Sequence, residues 1–383
     1  MHANIDYERL YRDAIPSVVS VYVSRGTPGV GAGSGFVYDE AHAVTNAHVV
    51  GGDGEAELRF SDGQWRRGEV VGVDAYTDLA AIHVPDLPDA ARPLPVAAEN
   101  PVPGRPVAAL GNPLGLDGSI TAGIVSGSNR SMHTSNGFAI PDVVQTDAPI
   151  NPGNSGGPLV GLTPDGEGYE VVGVNRAKSG DNIGFAVSPA IVTRVVPSLI
   201  ATGRYRHAYL RARTLDVTPT VAEANGLAEP RGILVVDVVD GPAAGDALRG
   251  CTGTRTVRGR EVPVGGDVIL GINGQALHTH EQLMGYLITE TRPGEPADVD
   301  VVRDGEVRTL SVTLRERPAV ETRRRGRRGR YGRDPRAPRA RPDGRGHGGG
   351  RRSDGGRGGR SGGGRDRRSG GDSDGRGTNV PIR

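Results

Sequence analysis

Residues 146–159 read Thr146-Asp147-Ala148-Pro149-Ile150-Asn151-Pro152-Gly153-Asn154-Ser155-Gly156-Gly157-Pro158-Leu159. The glycines around Ser155 predict a tight turn that pushes its hydroxyl outward. The same turn, Gly153-Asn154-Ser155, aims the N–H groups of Gly153 and Ser155 at one spot where a negatively charged oxygen can be held. A serine hydroxyl is a weak nucleophile and needs a base within hydrogen-bond reach. Upstream lie Thr45-Asn46-Ala47-His48-Val49-Val50 and Thr77-Asp78-Leu79-Ala80-Ala81-Ile82. An imidazole titrates near neutrality, so His48 can be that base. Asp78 can fix its tautomer and stabilise the imidazolium. The chain order is His, Asp, Ser, separated by 30 residues (48 to 78) and 77 residues (78 to 155).

Around these motifs run short β-branched segments punctuated by Gly, Pro and Asp: Val18–Val23, Gly35–Tyr38, Val44–Thr45, Ala56–Phe60, Glu69–Val73, Leu79–Val84, Pro106–Leu110, Ser119–Ser126, Val143–Thr146, Glu170–Val174 and Ile183–Val187. That pattern predicts an all-β sandwich or barrel. Helices are expected over 5–15 and 189–203, the second ending at Gly203. With 4 Phe and 1 Trp, the cores have to be built from Val, Leu, Ile and Ala. The single Cys251 allows no internal disulfide and no cysteine-based zinc site, and no metal or cofactor is expected.

A second unit follows, with strands at Val217, Ile233–Val239, Val268–Ile272, Ala297–Val302 and Val307–Leu314. Thr279 and Gln282 read as a capping box opening a helix over 280–289. From about 319 the chain turns to Arg, Gly, Ser, Asp and Pro, a composition that cannot bury a core and predicts disorder. Residues 321–383 hold 20 Arg and 7 acids, a net of +13. The rest then holds 46 − 20 = 26 basic and 45 − 7 = 38 acidic residues, a net of −12. The basic tail, including Arg323–Arg330, is a candidate for weak polyanion binding through counterion release. No run reaches the ~18–20 apolar residues of a membrane-spanning helix. The polar start, Met1–Arg9, lacks a signal-peptide core. A cytoplasmic location is the expectation for the sequence as written, with an extracytoplasmic one open if the start differs.

The glycine-framed Ser155, His48 and Asp78 together resemble the HtrA/Deg-type serine proteases, a trypsin-like domain followed by one PDZ domain. The resemblance extends over about residues 5–318, where Gly266–Gly274 is the best match in the second unit. It implies a mostly β protein: a chymotrypsin-like double six-stranded β-barrel over 1–204, an α+β PDZ domain over 205–318 and a disordered tail over 319–383. It also implies an ATP-independent endopeptidase acting on unfolded or damaged polypeptides. His48, Asp78 and Ser155 would be the catalytic triad, with Gly153, Asn154 and Ser155 as the oxyanion loop. Because residue 154 is Asn rather than Asp, zymogen activation by a new N-terminal amine is not expected. Pro149 stands where trypsin carries its selecting acid, so small aliphatic P1 side chains are expected, with Ile150 and the segment 182–187 near the pocket. Val172–Asn175, and so Val174 and Asn175, is expected to offer an edge for extended substrate. Tyr209, Leu210, Arg211 and Ala212 fall at the carboxylate-binding loop of the PDZ domain, which would take peptide C-termini; the family has Gly where Arg211 stands. A homotrimer is a further expectation of the family. Of the other histidines, His133, His207, His278, His280 and His347 are expected to be solvated. The competing reading is a chaperone-like or PDZ scaffold that binds anionic polymers through its tail.

Overall fold

A computed structural model describes residues 5–24, 33–112, 118–133, 139–178, 183–239 and 248–318. The tail at 319–383, with its predicted disorder and polyanion contacts, lies outside the described residues, as do His347 and Asn182. Helix α1 (Tyr7–Ala14) opens the described chain, capped by Asp6, whose carboxylate accepts from Arg9 N–H at 3.0 Å. The first barrel is built from β1 (Val18–Tyr22), β2 (Gly33–Asp39), β3 (His42–Thr45), β4 (Glu55–Arg59), β5 (Trp65–Asp74) and β6 (Leu79–His83), in the closed order β1-β2-β3-β6-β5-β4. A single turn of helix, α2 (Ala47–Val50), follows β3. The second barrel is built from β7 (Pro106–Gly111), β8 (Ser119–His133), β9 (Ala139–Thr146), β10 (Pro158–Leu162), β11 (Tyr169–Lys178) and β12 (Gly184–Val187), closed in the order β10-β11-β12-β9-β8-β7.

Alternation along these strands fills the barrels. Val19, Val21, Val37, Leu58 and Ile82 meet inside the first, and Val107, Val125, Val144, Leu159 and Val172 inside the second. The seam between them has its own core. Phe36, Val44 and Leu79 pack there against Val171, Val174 and Val187, and helix α3 (Pro189–Thr202) lays Ile191, Val192, Val195, Val196 and Leu199 over it. Ser188 caps α3, and Gly203 ends it in the left-handed conformation, as the sequence predicts. On the outside of the first barrel Trp65, the only tryptophan, is half exposed and packs against Tyr22 at 4.9 Å between ring centroids.

After α3 come β13 (Ala208–Tyr209), β14 (Ala212–Asp216), α4 (Pro219–Asn225), β15 (Ile233–Val238), the hairpin β16 (Gly253–Val257) and β17 (Arg260–Val264), then β18 (Val268–Ile272), β19 (Gln275–Ala276), α5 (His280–Thr289), β20 (Pro296–Arg303), β21 (Glu306–Thr313) and β22 (Arg315–Glu316). The sheet runs β14-β15-β18-β20-β21, with β19 on β18 and β14 at one edge. Helix α5 covers it with Leu283 and Leu287. Its cap is the predicted box: Thr279 Oγ1 accepts from Gln282 N–H at 3.2 Å, and Gln282 reaches back to His278 N–H at 2.7 Å. The next residue, Ile288, points the other way and enters the barrel-seam core.

Candidate active site

The seam carries the three predicted residues on three different turns. His48 lies on α2, which starts where β3 ends in Thr45 and Asn46. Asn46 Nδ2 and Ala47 N–H both donate to the Asp78 carbonyl, at 3.0 and 3.1 Å, so the histidine turn and the aspartate turn are stitched together. Asp78 sits at φ +59, a conformation sparsely used outside glycine. Its carboxylate holds it there: Oδ1 accepts from His48 N–H at 2.9 Å and Oδ2 lies 2.7 Å from His48 Nδ1. Oδ2 also accepts from Arg176 Nε at 2.7 Å. Burial pushes the Asp78 carboxyl up, but the His48 hydrogen bond and charge, followed by the Arg176 charge and hydrogen bond, outweigh it. The net result lies below the ordinary carboxylate range.

Ser155 is held from both barrels. Ser34 in β2 donates N–H to the Ser155 carbonyl at 2.7 Å and its hydroxyl to the Gly153 carbonyl at 2.6 Å. Gly156 N–H donates to the Asn175 carbonyl at 2.7 Å. Gly156 adopts φ +87, and a Cβ there would collide with the Ser34 carbonyl and the Thr45 hydroxyl, so only glycine fits. Asn154 N–H is committed to the Asn151 carbonyl at 3.0 Å. The N–H groups of Gly153 and Ser155 take no intramolecular partner among the described residues. Ser155 Oγ donates to the Arg176 carbonyl at 2.6 Å. Among the described residues no hydrogen bond joins it to His48. The serine proton therefore rests on a backbone carbonyl.

Arg176 was not legible as part of the site. The register of β11 against β12 slips between Asn175 and Ala177, so Arg176 sits on a bulge that re-aims it at Asp78. The predicted substrate edge at Val172–Asn175 is overturned. Pro158 and Leu159 of β10 pair with Val174 and Gly173 on one side, and Val187 and Ala186 of β12 pair with Val174 and Asn175 on the other. In a closed barrel every strand is flanked twice, so no backbone edge remains there. Val174 is buried in the seam core. Asn175 turns its side chain inward and donates to the Leu110 and Pro158 carbonyls at 3.2 and 3.1 Å. Pro149 is exposed and its carbonyl accepts from Thr121 Oγ1 at 2.7 Å, whereas Ile150 is buried against Gly184.

In the second domain Tyr209 pairs with Arg315 and Ala212 with Val238. Leu210 is buried in the domain core. Arg211 takes φ +58 and its carbonyl accepts from Val239 N–H at 2.7 Å, so the loop keeps a glycine-like turn with an arginine in it. The edge of β14 lies beside α5, where Thr214 Oγ1 and His280 Nδ1 are 2.7 Å apart. His280 is thus half-buried and bonded rather than solvated, while His278 is exposed as expected. The prediction for His207 fails outright: it is 4% exposed and paired with Asp74. The rings of Tyr76 and Tyr205 cover His207, which explains the miss, since its neighbours Arg204 and Arg206 are exposed.

A barrel pair of this topology with an Asp–His couple beside a glycine-framed serine defines a trypsin-like peptidase fold, and the comparisons agree. A trypsin-like peptidase domain model matches residues 33–174 and a PDZ domain model matches 211–314. A probable periplasmic serine endoprotease DegP-like of Marinomonas sp. (strain MWYL1) is 36% identical over 297 residues, covering 75% of this chain and 57% of that protein. Protease Do-like 1, chloroplastic, of Arabidopsis thaliana is 32% identical over 328 residues, covering 81% and 72%. The solved structure of the HtrA-type protease AlgW with tripeptide superposes with a TM-score of 0.66 at 30% identity, covering 83% of this chain and 99% of that one. The chain belongs to the HtrA/DegP-type family of serine proteases. It spans somewhat over half the length of the DegP-like relatives it matches.

Proposed function

We propose that the chain is a serine endopeptidase that hydrolyses peptide bonds in unfolded or damaged polypeptides without ATP, with its PDZ domain taking peptide C-termini. The observation that carries this reading is the 2.7 Å contact between His48 Nδ1 and Asp78 Oδ2, set on the same seam as the glycine-framed Ser155. In the proposed cycle Ser155 Oγ gives its proton to His48 Nε2 and attacks the scissile carbonyl carbon. The oxyanion of the tetrahedral intermediate is held by the N–H groups of Gly153 and Ser155. The C–N bond then breaks as His48 passes the proton to the leaving amine. Water, deprotonated by His48, next attacks the acyl-enzyme and releases the acid and the free serine. Asp78 stays ionised throughout and holds the imidazolium.

The uncharged Pro149 supports a preference for Val, Ala, Ile or Leu at P1. The DegP-like relatives are named as periplasmic, which favours the extracytoplasmic alternative over a cytoplasmic one for this chain. No described helix is long and apolar enough to cross a membrane.

Cleavage of casein by the wild type and by Ser155→Ala, with intact-mass mapping of the products, tests the reading. Ser155→Ala is expected to lose about 10³-fold or more in rate while keeping its fold, because a triad acts as a unit. Cleavage by that variant at the wild-type rate removes the proposal, and products ending mostly in Lys or Arg remove the P1 assignment.

A further inference from the structure

His207 lies in the segment that joins α3 to the second domain, five residues before β14 begins. Its Nε2 stands 3.0 and 2.9 Å from the two carboxylate oxygens of Asp74, which is itself 5% exposed. The ring is packed edge-on by Tyr76 and Tyr205, with centroids 5.1 and 4.8 Å away. Among the described residues its buried Nδ1 has no hydrogen-bond partner, so Asp74 supplies the hydrogen bond that the ring makes.

Asp74 has a second task. It accepts from Thr77 Oγ1 at 2.5 Å, from Thr77 N–H at 3.2 Å and from Tyr76 N–H at 3.4 Å, and so closes the turn that ends at Asp78. Asp78 is in the left-handed conformation, and its carbonyl and carboxylate are what tie His48 in place. The turn is therefore strained at the residue whose position matters most. On the other side, the His207 carbonyl accepts from Arg317 N–H at 2.9 Å. The Arg317 guanidinium lies 4.0 Å over the Tyr76 ring, and Tyr76 Oη donates to the Pro318 carbonyl at 2.7 Å. Both ends of the second domain thus converge on the Asp74–Asp78 turn, and His207 is the side chain that reaches its carboxylate.

We propose that His207, acting through Asp74, is a positioning residue for Asp78: the base of the second domain sets the geometry of the carboxylate that orients His48. The proposal rests on the reading of Asp78 as the orienting acid. The strut is the hydrogen bond itself, so a side chain that places an N–H at the same reach should serve. Glutamine does so; asparagine is a methylene shorter and falls short of Asp74.

The test compares His207→Ala, His207→Gln and His207→Asn in the full chain, with peptide hydrolysis, fluorophosphonate labelling of Ser155 and thermal unfolding as readouts. A misplacement of about 1 Å at a reacting group costs about 10²-fold in rate. His207→Ala and His207→Asn are expected to lose about 10- to 100-fold in kcat with KM within about twofold, and to label more slowly by the same factor. His207→Gln is expected to keep kcat within about threefold of wild type. If His207→Ala fails to fold, the contrast of Gln with Asn decides. Wild-type kcat in folded His207→Ala or His207→Asn overturns the proposal, whatever happens to Tm. So does a His207→Gln variant as slow as His207→Asn. Asp78→Ala is the control that separates the two ideas. If it cleaves like wild type, the triad reading fails and the strut with it. If it is inactive while His207→Ala is not, the strut alone fails.

Discussion

At the scale of single residues, the site is decided by how one carboxylate is shared. Asp78 serves His48 twice and Arg176 once, and the depression of its pKa has a consequence for stability. A carboxyl whose folded pKa lies below its unfolded value of about 3.9 contributes stability that is complete above that value and is lost as pH falls through the folded one. Removing the Arg176 cation raises the folded value, narrows the gap to the unfolded one and so shrinks the contribution that acid can remove. Arg176→Met should therefore resist urea less than wild type at pH 7 and lose less of that resistance than wild type does on acidification. Superimposable midpoint-against-pH curves for the two proteins would show that the contact is electrostatically idle. Ser155, His48 and Asp78 were all legible, because a glycine frame and an Asn-Ala-His run are local signals. Arg176 and His207 were not. One owes its role to a bulge in register, and the other to being covered by side chains from 76 and 205, neither of which leaves a trace in nearby sequence.

At the scale of elements, most strands announced themselves by β-branched alternation, and each miss has a local cause. β10 begins at Pro158, directly behind Gly156-Gly157, and reads as a continuation of the turn. The β16–β17 hairpin is built from Gly, Thr, Arg, Glu and Pro around Val257 and Val262, too polar to stand out. The four-residue α2 is shorter than any period can reveal. β9 carries an informative defect. Asp142 has φ +52 and is 8% exposed, accepting from Asn100 Nδ2 and Ser188 Oγ at 2.7 Å each. Burial raises its pKa and the Ser188 and Asn100 hydrogen bonds pull it back only in part. Such a group stabilises the fold below the unfolded pKa and loses that contribution as pH rises through the folded one. Asp142→Asn keeps the shape, suits the left-handed backbone better and carries no charge. It should raise Tm at pH 7, and the gain should shrink as the pH is lowered toward the carboxyl's own titration. A variant that is less stable than wild type at neutral pH contradicts this account.

At the scale of the whole molecule, the described residues between 5 and 318 fall in one compact unit, and Ile288 is one of the side chains that join its parts. It belongs to a PDZ helix but is 2% exposed in the core shared by the two barrels. Tyr205 reinforces the junction by donating its hydroxyl to the Ile288 carbonyl at 2.6 Å. Truncating a buried Ile to Ala costs about 2–5 kcal/mol. Ile288→Ala is expected to destabilise by an amount in that range and to do so in the barrels as well as in the PDZ domain. Hydrogen exchange that speeds only in the PDZ strands would place the residue in one domain alone. Beyond the described chain, residues 321–383 carry a net of +13 by sequence. Deleting 319–383 is expected to leave hydrolysis of a short peptide nearly unchanged. It should weaken heparin binding, with a deficit that shrinks as salt rises. A several-fold change in peptide hydrolysis at low salt would assign the tail a regulatory role instead. Finally, Trp65 makes the first barrel the only indole emitter in the protein. Light at the red edge of the absorption band excites nothing in the PDZ domain, so emission records the melting of one barrel while circular dichroism records all the strands. Because Ile288, Tyr205 and His207 join the PDZ domain to the barrels, the two traces should coincide, and any gap between them measures how far that junction falls short of making two domains unfold as one.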